Sequence, residues 1–291
     1  MSNLKAYEEF LTLGLRYSPY SVRSYLGDVR IFLLYLEEHG LKFNRLNERD
    51  LRAYLRVELE RGNTRRTIRR KLSALKKYYE YLLEQGAVKE NPLLLLPRQK
   101  SEIRYPKVLS HEEIAALLIA HQKRDSKEQL RDQLILEVLF GSGLRVSELC
   151  ALKISDIDFK RRVFRIFGKG LKERMVPFNE TEKALLEAYL AKRNSHHEAL
   201  FLSSRGEALT PRGVQYLLKQ IEQVLDLKIP LYPHLFRHSF ATELLNNDAD
   251  LLAVKELLGH ESINTTQIYT HVSHKTIKEN YLKAHPRSKK K

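Results

Sequence analysis

The chain is predicted to be mainly α-helical, with two domains, the second carrying a small β-hairpin. Three observations lead there. Apolar residues recur at helical spacing along most of the 291 residues. A stretch with two prolines and four basic residues, PRQKSEIRYPKVL at 97–109, interrupts that period and reads as a linker. Strand-like composition is concentrated at Val163–Phe167 and Arg174–Phe178, which flank the turn Gly168-Lys169-Gly170. The expected organisation is an N-terminal helical domain over 1–96, a linker over 97–109, a mostly helical second domain over 110–287 and a basic tail over 288–291.

Each element has a local reason. Ser21 to Glu38 places Val22, Tyr25, Val29, Phe32, Leu33 and Leu36 on one stripe, and His39-Gly40 ends it. Leu46 to Leu59 is a second helical pattern, closed by Arg61-Gly62-Asn63. Thr64 to Glu84 is a third, with Ile68, Leu72, Leu75, Tyr79 and Leu82 on its apolar face. After the linker, Ser110 and Glu113 form a capping-box pattern ahead of Ile114–Ile119. Leu130–Leu139 is helical and breaks at Gly141-Ser142-Gly143. Thr210-Pro211 starts another helix, Pro233 starts His234–Leu245, and Leu251–Leu258 stops at Gly259. Ser262 onward, with Ile263, Ile268 and Tyr269, suggests one more helix.

Hydrophobic residues at 43% and charged residues at 30% describe a globular chain rather than a disordered one. The 51 Lys and Arg against 36 Asp and Glu give a formal charge of +15, which points to a polyanion, most commonly nucleic acid. A basic protein without such a partner has the same charge balance, so charge alone does not decide. Cys150 is the single cysteine, which excludes an intrachain disulfide and fits a reducing cytoplasm. The start MSNLKAYEEF lacks a signal-peptide pattern, and LLLLP at 93–97 is far too short to span a bilayer. A cytoplasmic protein without membrane insertion is expected.

The third helix carries a basic stripe opposite its apolar face: Arg66, Arg70, Ser73 and Lys77 at helical spacing, with Arg65 and Arg69 beside them. Such a face follows phosphates along a groove, although most charged faces are merely solvated. Nearly all of these charges share one sign, which favours DNA. In the second domain, Arg212, Gln215 and Lys219 on the helix that begins at Thr210 form a candidate groove reader.

Breaking a phosphodiester without a metal requires a nucleophile, cations for the non-bridging oxygens and an acid for the leaving 5′ oxygen. Arginine suits the clamp, because its planar fork matches two phosphate oxygens and stays charged. Arg145 follows a glycine break in GSGLRVSEL, with Glu148 one turn later to orient it. Lys169 sits at the hairpin tip, and His234 and Arg237 are three apart, on one helical face. His260 follows Leu258-Gly259, and Tyr269 is one of 15 tyrosines. Each piece alone is ordinary.

Together they resemble the tyrosine recombinase family, closest in pattern to the bacterial Xer recombinases. The matching stretches are GSGLRVSELCAL, GKGLKERMVPF, HLFRHSFATELL and LLGHESINTTQIYTHV, with TIRRKLSAL at 67–75 in the N-terminal part. Arg237 to His260 spans 23 residues and His260 to Tyr269 spans 9, as is usual in that family. The resemblance covers nearly the whole chain. Two departures, GSG where TG is usual and Ile154 where tryptophan is common, touch no reacting group.

The resemblance implies a core-binding domain followed by a catalytic domain. It implies Tyr269 as nucleophile forming a 3′-phosphotyrosine, and Arg145 and Arg237 on the non-bridging oxygens. It further implies His260 as a hydrogen-bond donor, Lys169 as general acid, and His234 as a base for the tyrosine proton. No cofactor or ATP is expected, and no metal, because His271 and His274 lack an accompanying carboxylate or cysteine cluster. The implied partners are double-stranded DNA with a specific recombination site, further protomers in a homo- or hetero-tetramer, and a septal DNA translocase. The C-terminal segment 274–285 is expected to reach a neighbouring protomer. The expected role is resolution of chromosome or plasmid dimers. The alternatives are an integrase of a mobile element with the same chemistry, or a type IB topoisomerase-like relaxing enzyme.

Overall fold

The computed structural model describes residues 2–96, 108–122, 128–168, 173–224 and 229–259, together with Tyr281 and Ala284. Lys169, His260, Tyr269, the helix expected from Ser262, the basic tail and most of the 97–109 stretch lie outside the described residues. The chain divides into two compact units, Met1–Ile103 and Arg104–Lys291. The described secondary structure is predominantly helical with a small antiparallel sheet, as the sequence predicts. Among the described residues, no helix is long and apolar enough to cross a membrane.

The first unit packs four helices: α1 (Ser2–Glu9), α2 (Pro19–Glu38), α3 (Glu48–Glu60) and α4 (Arg65–Glu84). A π-helical turn, Phe10–Gly14, extends α1. Local chemistry sets the starts. Ser18 accepts from the Ser21 N–H at 3.2 Å with Pro19 at the first helical position. Asn47 and Asp50 exchange reciprocal 3.1 Å bonds, which moves the start of α3 to Glu48 from the expected Leu46. Thr64 accepts from the Thr67 N–H at 3.2 Å ahead of α4.

The core of this unit is unusually aromatic. Tyr7 meets Tyr78 edge-on at 5.0 Å, and Phe32 meets Tyr54 at 4.9 Å. Tyr79 is buried and donates to the Phe43 carbonyl at 2.8 Å. Buried charge also ties the helices. Lys71 of α4 donates to Glu58 of α3, with side chains only 8% and 1% exposed. Glu58 also accepts from Arg61 at 3.2 Å and Asn63 at 2.9 Å. Lys71→Met is expected to destabilise the first unit by about 2 kcal/mol, because Glu58 loses its buried cation but keeps two donors. Thermal unfolding of the full chain checks this, and an unchanged first-unit transition would show that the pair contributes nothing net.

The second unit has α5 (His111–Gln122), α6 (Gln129–Gly141), α7 (Val146–Ala151), α8 (Glu180–Lys192), α9 (Pro211–Val224), α10 (Pro233–Asn246) and α11 (Leu251–Leu258). The capping box at Ser110 is present: the Ser110 N–H donates to Glu113 at 2.7 Å, and Ser110 Oγ accepts from the Glu113 N–H at 3.2 Å. Helix α6 is apolar almost all round and forms the centre of the core, with Leu134 to Phe140 buried.

The sheet runs β1 (Ile157–Asp158), β2 (Val163–Phe167), β3 (Glu173–Pro177) in that order, antiparallel throughout. Phe164 pairs with Val176 and Ile166 with Arg174, so the inward face carries three apolar residues and one arginine.

Gly143 adopts φ +60°, and a Cβ there would lie 2.3 Å from Phe240. The break after α6 therefore lets α10 approach closely. Tyr281 and Ala284 are the described residues within 274–285, and both are buried against α10 and α11 in this chain's own core. The Tyr281 hydroxyl donates to the Gly141 carbonyl at 2.9 Å. In this chain the two pack within their own unit, and the rest of 274–285 lies outside the described residues.

Candidate active site

Four side chains from three elements, α7 with its N-cap, β3 and α10, converge beside the carboxyl end of α11. Arg145 is the N-cap of α7, set there by extended backbone after the glycine break. Its backbone N–H donates to Glu148 Oε2 at 2.8 Å, and its Nη1 donates to Glu148 Oε1 at 2.8 Å. Its Nη2 donates to the Gly259 carbonyl at 3.0 Å. The expectation that Glu148 orients Arg145 thus matches the geometry.

Arg237 sits one turn into α10, with its side chain only 7% exposed. Its Nη1 donates to the Gly143 carbonyl at 2.8 Å, and its Nη2 to the Leu258 carbonyl. Arg237 Nη1 is 3.9 Å from Glu148 Oε2. Burial and the positive charge of Arg145 push Arg237 down to about 10, which still leaves it cationic at neutral pH. Glu148 is nearly buried. Burial alone pushes its carboxyl up, but the hydrogen bonds and charges of Arg174 and Arg145 outweigh this and hold it below the ordinary carboxylate value.

Arg174, on β3, was not singled out by the sequence. Its Nη1 and Nη2 grip Glu148 Oε1 and Oε2 at 2.9 and 2.8 Å, and its Nε donates to the Leu257 carbonyl at 3.0 Å. The signal for it is a charged residue at an inward position of a short strand, opposite Ile166, where only a paired charge is tolerated.

The carbonyls of Leu257, Leu258 and Gly259 thus each receive one arginine. These are orphan acceptors at the negative end of α11, so cations are favoured there. Gly259 closes the helix at φ +60°, ψ +50°, and a Cβ there would press on Arg174 at 3.3 Å. Three guanidiniums against one carboxylate leave two positive charges in excess, in a partly buried setting that suits a phosphate.

His234 lies in the first turn of α10, exposed, three residues before Arg237. Lys169 falls in the connection between β2 and β3, and His260 and Tyr269 follow Gly259 in sequence; all three lie outside the described residues. The structure therefore brings Arg145 and Arg237 together, and does not describe the rest of the expected set.

The other expected contact residues lie on helix faces. On α9, Arg212, Gln215 and Lys219 are exposed opposite buried Val214, Leu217, Leu218 and Ile221, and Tyr216 is 64% exposed beside them. On α4, Arg65, Arg66 and Arg69 are exposed. Arg70 instead ties α4 to α2 through Asp28 and through Ser24 at 2.7 Å. Lys77 is paired with Glu80 within its own helix. Cys150 is packed against the core, and burial pushes its thiol up to about 12, which leaves it unreactive at neutral pH.

Known proteins share both units. The Phage integrase family profile matches residues 107–276, and the phage integrase N-terminal SAM-like domain matches residues 4–86. Tyrosine recombinase XerC of Bacillus licheniformis is 39% identical over 100% of this chain and 99% of its own length. The XerC of Oceanobacillus iheyensis is 40% identical over 98% of this chain and 96% of its own. The solved structure of XerH site-specific recombinase bound to difH substrate, a pre-cleavage complex, aligns with TM-score 0.69 at 26% identity, over 89% of this chain and 78% of that one. A cationic cluster suited to phosphate, sequence identity along the full length and a shared fold agree, and the chain belongs to the phage integrase family of site-specific tyrosine recombinases.

Proposed function

We propose that this chain cuts and rejoins double-stranded DNA at a specific recombination site through a 3′-phosphotyrosine at Tyr269, as an Xer-type recombinase acting in the cytoplasm. The observation that carries this reading is the excess of two positive charges where Arg145, Arg174 and Arg237 meet around Glu148. A phosphodiester carries one negative charge, and attack by a phenolate adds another, so the cluster complements the transition state better than the ground state.

In the proposed step, the Tyr269 oxygen bonds to phosphorus and the bond from phosphorus to the 5′ oxygen breaks. His234 takes the tyrosine proton, and Lys169 supplies one to the 5′ oxygen. Arg145, Arg237 and His260 hold the non-bridging oxygens. The ester conserves the bond energy, so a 5′ hydroxyl reverses the reaction without ATP. The exposed basic faces of α4, with Arg65, Arg66 and Arg69, and of α9, with Arg212, Gln215 and Lys219, contact the duplex. Arg70 and Lys77, paired with Asp28 and Glu80, take part in that contact by exchanging their carboxylates for phosphates. Residues 1–96 act as the core-binding domain and 110–287 as the catalytic domain.

Four protomers, of one or two kinds, assemble on two sites, exchange one pair of strands at a time and resolve chromosome or plasmid dimers. A septal DNA translocase times the event. Full-length likeness to XerC supports this over a mobile-element integrase.

The test uses a nicked duplex carrying the site that the purified chain selects from random-sequence DNA, incubated in EDTA without ATP. The expected product is a denaturant-stable adduct on the 3′ side of the break with a free 5′ hydroxyl. Attachment to the 5′ end, or cleavage without attached protein, overturns the reading. In a second arm on a closed supercoiled circle carrying two such sites, relaxation without exchange between the sites indicates a topoisomerase instead.

A further inference from the structure

We propose that Arg174 is a positioning residue for strand cleavage: it neutralises Glu148 and seats the end of α11, so that Arg145 and Arg237 keep their charge for the scissile phosphate. This rests on the reading that those two arginines hold that phosphate.

The division of labour follows from the bonds each guanidinium makes. Arg174 uses both Nη atoms on the two Glu148 oxygens and its Nε on the Leu257 carbonyl. Its side chain is 14% exposed, and each of its three nitrogens already donates to the protein. A two-point fork on a carboxylate is the strongest geometry that pair can adopt. Arg145 meets the same carboxylate through one side-chain nitrogen and is 33% exposed, the most open of the three. Of five N–H donors on a guanidinium, Arg145 leaves several for a ligand. Arg174 is the counter-ion, and Arg145 is the contact.

Removing Arg174 changes the balance at Glu148. The carboxylate then faces only Arg145 and Arg237, and one positive charge remains in excess instead of two. Arg237 Nη1 already stands 3.9 Å from Glu148 Oε2 and would be drawn toward it. The Leu257 carbonyl loses its donor, three residues before His260. Both changes displace the clamp without removing a group that touches DNA.

The position on β3 serves this purpose. Arg174 pairs with Ile166 on the inward face, so the sheet delivers the guanidinium into the gap between α7 and α11. The strand holds it there, and its partners lie 26 and 83 residues away in sequence.

The test compares Arg174→Ala and Arg174→Lys with the unaltered chain in single-turnover cleavage at saturating DNA. The substrate is the selected nicked duplex, made with either a phosphate or a neutral methylphosphonate at the scissile position. On phosphate, the alanine variant is expected to cleave about 100-fold more slowly, with DNA affinity within about threefold of the unaltered chain. Arg174→Lys, which keeps the charge without the fork, is expected to fall between them. On methylphosphonate, which needs less positive charge, the alanine deficit is expected to shrink to about tenfold or less.

Full-rate cleavage by Arg174→Ala, or a deficit of equal size on both linkages, overturns the proposal. A deficit that ignores phosphate charge is a general defect in the fold. If melting shows that the alanine variant does not fold, the same two-linkage comparison on Arg174→Lys decides. Failure of the unaltered chain to form any adduct on phosphate defeats the proposed function itself, and it is read from a separate arm.

Discussion

Tyr269→Phe is expected to abolish the covalent adduct while leaving site binding intact, a loss of more than about 10⁴-fold. The substitution removes a single oxygen, and without it no ester forms. The case for this hydroxyl is partly one of exclusion. Burial pushes the hydroxyls of Tyr7, Tyr54 and Tyr79 far above the ordinary tyrosine value, and Tyr281, also raised well above it, is enclosed and donates to Gly141. In the second unit, Tyr216 and Tyr232 are exposed, at 64% and 40%. Tyr232 is the stronger competitor, because it caps α10 two residues before His234. Tyr269 lies ten residues beyond Gly259, whose carbonyl is held by Arg145. Ten residues reach up to about 35 Å, which is long enough for Tyr269 to meet the clamp. Electrophoresis of the denatured adduct checks the assignment with Tyr232→Phe beside it. An adduct that survives in Tyr269→Phe and disappears in Tyr232→Phe moves the nucleophile to α10.

Much of the fold is legible from local chemistry. The starts of α4, α5 and α10 and the stop of α11 follow from Thr64, Ser110, Pro233 and Gly259, each acting within a few residues, whereas α2 begins at Pro19 behind the Ser18 cap, two residues before the expected Ser21. The elements without a named expectation are those with weak or short periodicity. Helix α7 is six residues long and β1 two, too short to show a repeat. Helix α1 carries little beyond Leu4 and Tyr7 for the core. Helix α8 had a readable signal: Asn179 and Glu182 form a reciprocal capping box at 2.8 and 2.9 Å.

At the site, motif spacing singles out Arg145 and Arg237, but not how their charges are balanced. That depends on Arg174, 26 residues from Glu148 in a different element, and periodicity carries no information about such pairs. The α4 stripe shows the same limit. Arg69 and Arg70 are neighbours in sequence, and Asp28, 42 residues earlier, separates a surface residue from an interhelical tie.

Glu148→Ala is expected to destabilise the second unit by about 3–5 kcal/mol, because three guanidiniums would share a small space with no counter-ion. For a unit of this size that lowers the melting temperature by about 10 °C. The sign with pH follows from the lowered carboxyl of Glu148. A group depressed in the folded state contributes stability above its unfolded value and loses it as pH falls through the folded value. The gap between the unaltered chain and Glu148→Ala should therefore be full at neutral pH and narrow below the ordinary carboxylate range. Glu148→Gln keeps an acceptor and should fall between them. Inorganic sulfate offers a second reading of the same physics, since an anion that binds only the folded cluster stabilises it by mass action. Sulfate should raise the melting temperature of Glu148→Ala more than that of the unaltered chain, because three unopposed cations attract it more strongly than two. Equal shifts in both proteins, or a stability gap that widens in acid, would mean that Glu148 does not hold the cations in balance. The charge argument for the phosphate clamp would then fail with it.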